Sequence, residues 1–161
     1  MDKLVDAIVT AYKDGNKILI AGNGGLASDS EHFAAELMGK FAFDVYLPCI
    51  SLTANSAIMT AIPNDMGFDR VFSHQVSILG KTGDIFIGMT TSHSANVGRA
   101  LKVARKKGLI TVVICSEKDT NFRYADYIFS MSGNDTAEIQ NETIQYLHKL
   151  AYEIKRRLVC Q

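Results

Sequence analysis

Residues 17–25 read KILIAGNGG, and this stretch decides the fold class. Lys17–Gly22 is a short apolar run ending at a glycine turn, the pattern of a buried strand. Ser28–Lys40 follows with helical spacing, its apolar side made by Phe33, Ala34, Leu37 and Met38. Working outward, the alternation repeats. Residues 2–13 place Leu4, Val5, Ile8 and Tyr12 on one helical face. Cys49–Leu52 reads as a second strand. Ala54–Ile62 reads as helix until Pro63, which lacks the N–H that a helix interior needs. Met66–Leu79 is expected to be one helix, with Phe68, Val71, Phe72 and Val76 aligned. Asp84–Met89, Leu109–Cys115 and Tyr127–Met131 are strands. Asn96–Lys107 is a helix with Val97, Ala100, Leu101 and Ala104 on one side, and Thr136–Val159 is a long amphipathic C-terminal helix. Continuous Val/Ile strands separated by helices predict a parallel sheet covered on both faces. Right-handed crossovers then give an α/β fold, a three-layer α/β/α sandwich with a five-stranded parallel sheet, expected as a single domain over residues 1–161. Ligands in such sheets bind beyond the carboxyl ends of the strands, which selects the loops 22–27, 53–55 and 90–96.

The bulk properties narrow the chemistry. The chain has 161 residues, 47% hydrophobic and 21% charged, which suits a globular domain. Seventeen basic residues balance seventeen acidic ones, so no global field points to nucleic acid or a membrane surface as partner. A small anion must be held by local features. No apolar run is long enough to cross a bilayer. The N-terminal stretch carries acidic residues and no signal-peptide pattern, which favours a cytoplasmic protein. Cys49, Cys115 and Cys160 show no CxxC spacing and read as reduced thiols.

Two loops suit a phosphate. Thr90, Thr91, Ser92 and Ser94 put four hydroxyls at a strand-to-helix turn, where the free N–H groups of a helix N-terminus add their own donors. One hydroxyl suffices for a cap, so the rest are surplus. Gly22-Asn23-Gly24-Gly25 allows positive φ and close backbone approach, and also reads as a plain tight turn. Neither a GK[ST] nor a full GxGxxG follows.

Chemistry needs titratable groups beside those loops. His32 and Glu36, four apart, share one helical face near the glycine loop, as an ordinary surface pair also would. Gln140 and His148 share a broad face of the C-terminal helix but stand about 12 Å apart along it. His148, among Tyr146, Leu147 and Leu150, also reads as a packed histidine. Asp65, after Pro63 and Asn64, is a further candidate or a turn former. His74 lies among polar helical neighbours and reads as solvated.

Together these pieces resemble the phosphoheptose isomerase family of the SIS (sugar isomerase) class, whose fold is flavodoxin-like. Residues 21–25 and 32–37, AGNGG and HFAAEL, look like that family's GNGGS…HFAAEL signature. Residues 64–68, NDMGF, resemble its NDxGF. Residues 90–97 are similar to its STSGNSxNV phosphate loop, and Ile139, Gln140 and His148 match its IQ…H spacing. The resemblance runs through the whole chain in the same order. It implies conversion of sedoheptulose 7-phosphate to D-glycero-D-manno-heptose 7-phosphate for lipopolysaccharide or capsule synthesis. It makes Glu36 the base and His148 the acid, and His32, Glu36, Gln140 and His148 the ligands of a zinc ion. It puts Asn23, Gly24, Gly25, Asn64, Asp65, Thr90, Thr91, Ser92, Ser94 and Gln140 on the substrate.

The resemblance also implies a homotetramer with active sites shared between neighbours, in keeping with the apolar faces of the first and last helices. Leu26 stands where the family has a phosphate-binding Ser, and Asn141 where it has Glu. His93 stands where it has Gly-Asn, and is expected to pair with the phosphate when protonated. Family members carry a further helix before the position of Met1. Relatives of the same class include a non-catalytic protein that binds the bacterial replication initiator and sugar-phosphate sensors in regulators. The first has no Glu at the position of Glu36, so Glu36 favours the enzyme.

Overall fold

β3 (Ile85–Thr90) lies at the centre of one all-parallel sheet, with β1 (Ile18–Ala21) and β2 (Cys49–Ser51) on one side and β4 (Ile110–Ser116) and β5 (Tyr127–Met131) on the other. The computed structural model describes residues 1–160 and gives the order β2-β1-β3-β4-β5. Ile18 pairs with Cys49 and Ile85, and Ile85 in turn with Ile110. β1 and β3 are buried along their whole length, as a strand covered on both faces must be, while β5 at the edge is only partly buried.

The helices are α1 (Asp2–Lys13), α2 (Gly25–Met38), α3 (Ser56–Met66), α4 (Val71–Leu79), α5 (Ala95–Lys106) and α6 (Thr136–Val159). Two cores result from the alternation of side chains along the strands. Ile18, Ile20, Ile87 and Ile114 face α1, α2 and α6, packing with Leu4, Ile8, Phe33, Leu37, Leu147 and Leu150. Leu19, Ala21, Phe86 and Val113 face α4 and α5, packing with Phe72, Val76, Val97 and Leu101. The three-layer α/β/α sandwich expected from the sequence is the one observed.

Three boundaries differ from expectation by more than two residues. α2 starts at Gly25, three residues early, because Gly24 at φ +58° turns the chain straight out of β1. α3 runs through Pro63 to Met66. None of its residues is buried, so the carbonyl freed by the proline is open to water, and Asn55 Oδ1 caps its start by accepting from the Ile58 N–H at 3.1 Å. The single helix expected over Met66–Leu79 is split: Gly67, at φ +93°, reverses the chain and a 3₁₀ turn, Phe68–Arg70, precedes α4.

Candidate functional site

One face of α2 packs Phe33, Ala34 and Leu37 into the core, and the adjacent stripe carries Asp29, His32 and Glu36 at helical spacing. α6 lies against that stripe and supplies His148. Glu36 Oε1 is 2.6 Å from His148 Nδ1 and 3.3 Å from His32 Nε2. The two imidazoles meet edge to face at 5.0 Å, and Phe41 stacks on His148 at 6.2 Å. Glu36 is 7% exposed, whereas the His32 and His148 side chains are 52% and 40% exposed. The carboxylate is therefore the inner group and the rings line the approach to it. Its other oxygen, Oε2, is buried with no partner. A buried carboxylate oxygen left unpaired is costly, and a ligand or a proton relieves that cost.

The three side chains offer ligand atoms within 4.8 Å of one another. Two imidazole nitrogens and a carboxylate oxygen are a donor set that suits zinc with a coordination position left open. The site therefore fits such an ion. Gln140 has its amide against Gly25, at the start of α2, while the three ligand atoms come from the second half of that helix and from α6.

Asp29 is a fourth group that the sequence motifs do not single out. Its Oδ2 is buried without a partner. Burial raises its carboxyl above the ordinary range, and His32 and His148 pull it back down. The i, i+3 spacing from Asp29 to His32 extends the His32–Glu36 stripe and is the signal that finds it. Behind the cluster, Lys155 is fully buried and its Nζ donates to the Gly39 carbonyl at 2.8 Å, closing the C-terminal end of α2.

The second locus lies at the carboxyl ends of β1 and β3, where α2 and α5 begin. The side-chain amides of Asn23 and Asn96 pair reciprocally, both bonds 2.9 Å, and tie the glycine turn to α5. A Cβ at Gly25 would lie 2.6 Å from Gln140 Oε1, so glycine is what leaves the Gln140 amide in its place. Leu26 is 3% exposed and belongs to the core, so it offers nothing to a ligand.

Within 90–94, the hydroxyls differ from expectation. Thr90 is 2% exposed and its Oγ1 accepts from the N–H groups of Ser94 (3.0 Å) and Ser92 (3.3 Å) while donating to Ser94 Oγ (3.0 Å). It shapes the loop from inside. Thr91 and Ser92 hydroxyls have no partner among the described residues, and Ser94 Oγ, an acceptor toward Thr90, keeps its own proton to give. His93 Nδ1 is 2.9 Å from Asp119 Oδ1, so that nitrogen is turned to a carboxylate and not to a phosphate. Asn64 donates to Asp65 Oδ1 at 2.8 Å on the exposed end of α3. That contact joins them to each other, and none joins them to His32, Glu36 or His148.

The SIS domain family matches residues 1–116, so fold and site together define an SIS-domain protein. Among relatives, the phosphoheptose isomerase of Synechocystis sp. is 42% identical over 164 residues, spanning 100% of this chain and 84% of that protein. That of Aquifex aeolicus is 42% identical over 157 residues, 96% of this chain and 82% of the other. The solved phosphoheptose isomerase of Neisseria gonorrhoeae superposes with a TM-score of 0.87 at 33% identity, covering 95% of this chain and 83% of that one. The chain belongs to the phosphoheptose isomerase family. The Vibrio vulnificus NanR protein complexed with ManNAc-6P, at 12% identity and a TM-score of 0.63 over 99% of this chain and 54% of its own, shares the fold alone.

Proposed function

We infer that the chain, as one SIS domain over residues 1–161, is an aldose–ketose isomerase interconverting sedoheptulose 7-phosphate and D-glycero-D-manno-heptose 7-phosphate. The observation that carries this reading is the buried Glu36, with one oxygen engaged by two histidines and the other unpartnered. Isomerisation moves one proton between C1 and C2 through an enediol. Glu36 Oε2 is the atom to take and return that carbon-bound proton, since Oε1 is held by the imidazoles. With His148 Nδ1 turned to Glu36, its other ring nitrogen is left to exchange a proton with the sugar's carbonyl or hydroxyl oxygen. Burial and the two rings keep bulk water from the carboxylate, which preserves its basicity toward carbon.

Thr91, Ser92 and Ser94, with the N-termini of α2 and α5, would hold the phosphate, and Gln140 beside Gly25 would contact the sugar between the two loci. Gly24 and Gly25 let the turn approach the ligand. Asn23 acts through Asn96, and Thr90 through the loop it braces. Asn64 and Asp65 remain candidates for the sugar hydroxyls.

His32, Glu36 and His148 would hold a zinc ion, which when bound polarises the substrate oxygens and stabilises negative charge on the enediol. Gln140, matched to both roles, would add its amide oxygen to the metal or bond the sugar from its place at Gly25. The complete carboxylate–histidine cluster favours the enzyme over a non-catalytic relative that binds a sugar phosphate or a protein such as the replication initiator.

The product would serve heptose synthesis for lipopolysaccharide or capsule. The free thiols Cys49, Cys115 and Cys160 support a reducing compartment such as the cytoplasm. Among the described residues no helix is long and apolar enough to cross a membrane. Support for a homo-oligomer, a tetramer in this reading, comes from α3, which buries none of its residues, and from Phe68 and Ile78, 55% and 67% exposed. Turnover of sedoheptulose 7-phosphate tests the function. Activity lost to a chelator and restored by zinc is expected, and no turnover in folded, zinc-loaded protein would overturn the reading.

A further inference from the structure

The turn at 90–94 contains a residue held in an unfavourable conformation. His93 has φ +50°, a region uncommon for side-chain-bearing residues, although Asn, Asp and His enter it more often than the rest. Such a conformation persists where the surroundings over-determine it. Here two contacts do so, both from the segment between β4 and β5. His93 Nδ1 pairs with Asp119 Oδ1 at 2.9 Å, and the ring stacks on Phe122 with centroids 4.7 Å apart and planes 23° apart. Neither partner is loose. The Asp119 N–H donates to the Ser116 carbonyl at 3.0 Å, at the end of β4. Phe122 is 6% exposed and belongs to the core between the sheet and α4–α5.

We propose that His93 is a positioning residue for the phosphate. Its side chain straps the 90–94 turn to Asp119 and Phe122, and so fixes the inner face of that turn. The proposal rests on the reading of 90–94 as the phosphate loop. The geometry supports the role from both sides of residue 93. Ser92 and Ser94 give their N–H groups to Thr90 Oγ1, which closes the turn from within. His93 holds the same turn from outside, through a residue whose backbone would otherwise relax. With both in place, the hydroxyls of Thr91 and Ser92 stay unpartnered at the N-terminus of α5, available to an anion. Removal of the ring frees the backbone at 93, and the turn then loses order that phosphate must restore on binding. The effect falls on affinity and not on proton transfer, because Glu36 and His148 lie on other elements.

The test compares His93→Gly, which accepts the positive φ but has no strap, with Asp119→Asn, which keeps the shape of the partner. Inorganic phosphate binding is measured by calorimetry, and KM and kcat with sedoheptulose 7-phosphate. For His93→Gly we expect phosphate affinity and KM both weakened about tenfold with kcat within about twofold, and for Asp119→Asn a smaller loss in the same direction. The double variant should lose no more than His93→Gly alone. Unchanged phosphate affinity and KM in His93→Gly, whatever its melting temperature, would overturn the proposal. Absence of phosphate binding to the wild-type protein would instead remove the phosphate-loop reading on which it rests, and the proposal with it.

Discussion

A methyl group at residue 25 should separate stability from activity. In Gly25→Ala the added Cβ would stand 2.6 Å from Gln140 Oε1 and 2.8 Å from its Cδ and Nε2. Carbon contacts settle near ~3.5–4.0 Å, so the amide must retreat by about 1 Å. That retreat is cheap for the fold. Gln140 is half-buried and the clash involves only the far end of its side chain. Gly25 opens α2 without a positive φ, so alanine fits the backbone there. Replacing glycine in a compatible helical position stabilises by about 0.4–1 kcal/mol. For a chain of this size that raises the melting temperature by up to about 4 °C. If Gln140 binds the sugar, the displaced amide costs one neutral hydrogen bond, about 0.5–1.5 kcal/mol, or roughly two- to thirteen-fold in kcat/KM. The same preparation should thus melt no lower and turn over more slowly. Gln140→Ala should show a similar loss, and adding Gly25→Ala to it should cost nothing further. Steady-state turnover and thermal melting of the three variants check this. Full activity in Gly25→Ala, or losses that add in the double variant, would show that Gln140 does not act where it lies.

Glu36→Gln should lower kcat by about 10²–10⁴-fold while leaving the circular dichroism spectrum unchanged, since the amide fills the same space but lacks the carboxylate's charge and basicity. Asp29 gives a pH signature. Burial raises its carboxyl above the ordinary value, so the folded chain holds that proton more tightly than the unfolded one. Its contribution is favourable below the unfolded value of about 3.9 and is lost as pH rises through the raised folded value. Metal-free Asp29→Asn should therefore lack this decline, as urea melts at pH 4 and pH 7 would show. A five-carbon sugar phosphate should be turned over at least tenfold less efficiently than the heptulose phosphate in kcat/KM, because it is about two C–C bonds, roughly 2.5 Å, too short to reach from loop to base. Equal efficiency would contradict that reach.

Most of the layer structure is legible in the sequence because it rests on periodicity. The runs around Ile18 and Ile85 have no polar interruptions, and only a sheet covered on both faces accommodates that. Periodicity is silent where one residue competes with its surroundings. Pro63 reads as a stop, yet its helix is exposed and water can satisfy the freed carbonyl. Gly67 sits inside a good apolar repeat that continues to Leu79, and only its backbone conformation shows the break. The site follows the same logic. His32 and Glu36 are a local pair and can be read from spacing, and His148 joins them through the packing of α6 on α2, 112 residues away. Asn23 and Thr90 read as ligand contacts, and the fold gives their polar groups a second task, bonding to Asn96 and to the loop's own backbone. His93 reads as a partner for phosphate until the position of Asp119 is known.

α2 connects the two halves of the site. It starts at the glycine turn, beside the loop that begins α5, and carries His32 and Glu36 in its second half. Seven and eleven residues from Gly25 correspond to about 10 and 16 Å along a rigid helix. Helical side chains lean toward the N-terminus, so the reacting atoms lie at the near end of that range. An extended seven-carbon chain with a terminal phosphate reaches roughly 10 Å from C1, taking C–C bonds of about 1.5 Å. The helix would therefore act as a ruler: with phosphate at its N-terminus, C1 and C2 of a heptose would meet Glu36. A helix holds this distance better than a loop would, since packing of Leu26 and Leu37 in the core fixes it at both ends. Selection for substrate length then needs no pocket closed around the sugar, only two anchoring points on one straight element.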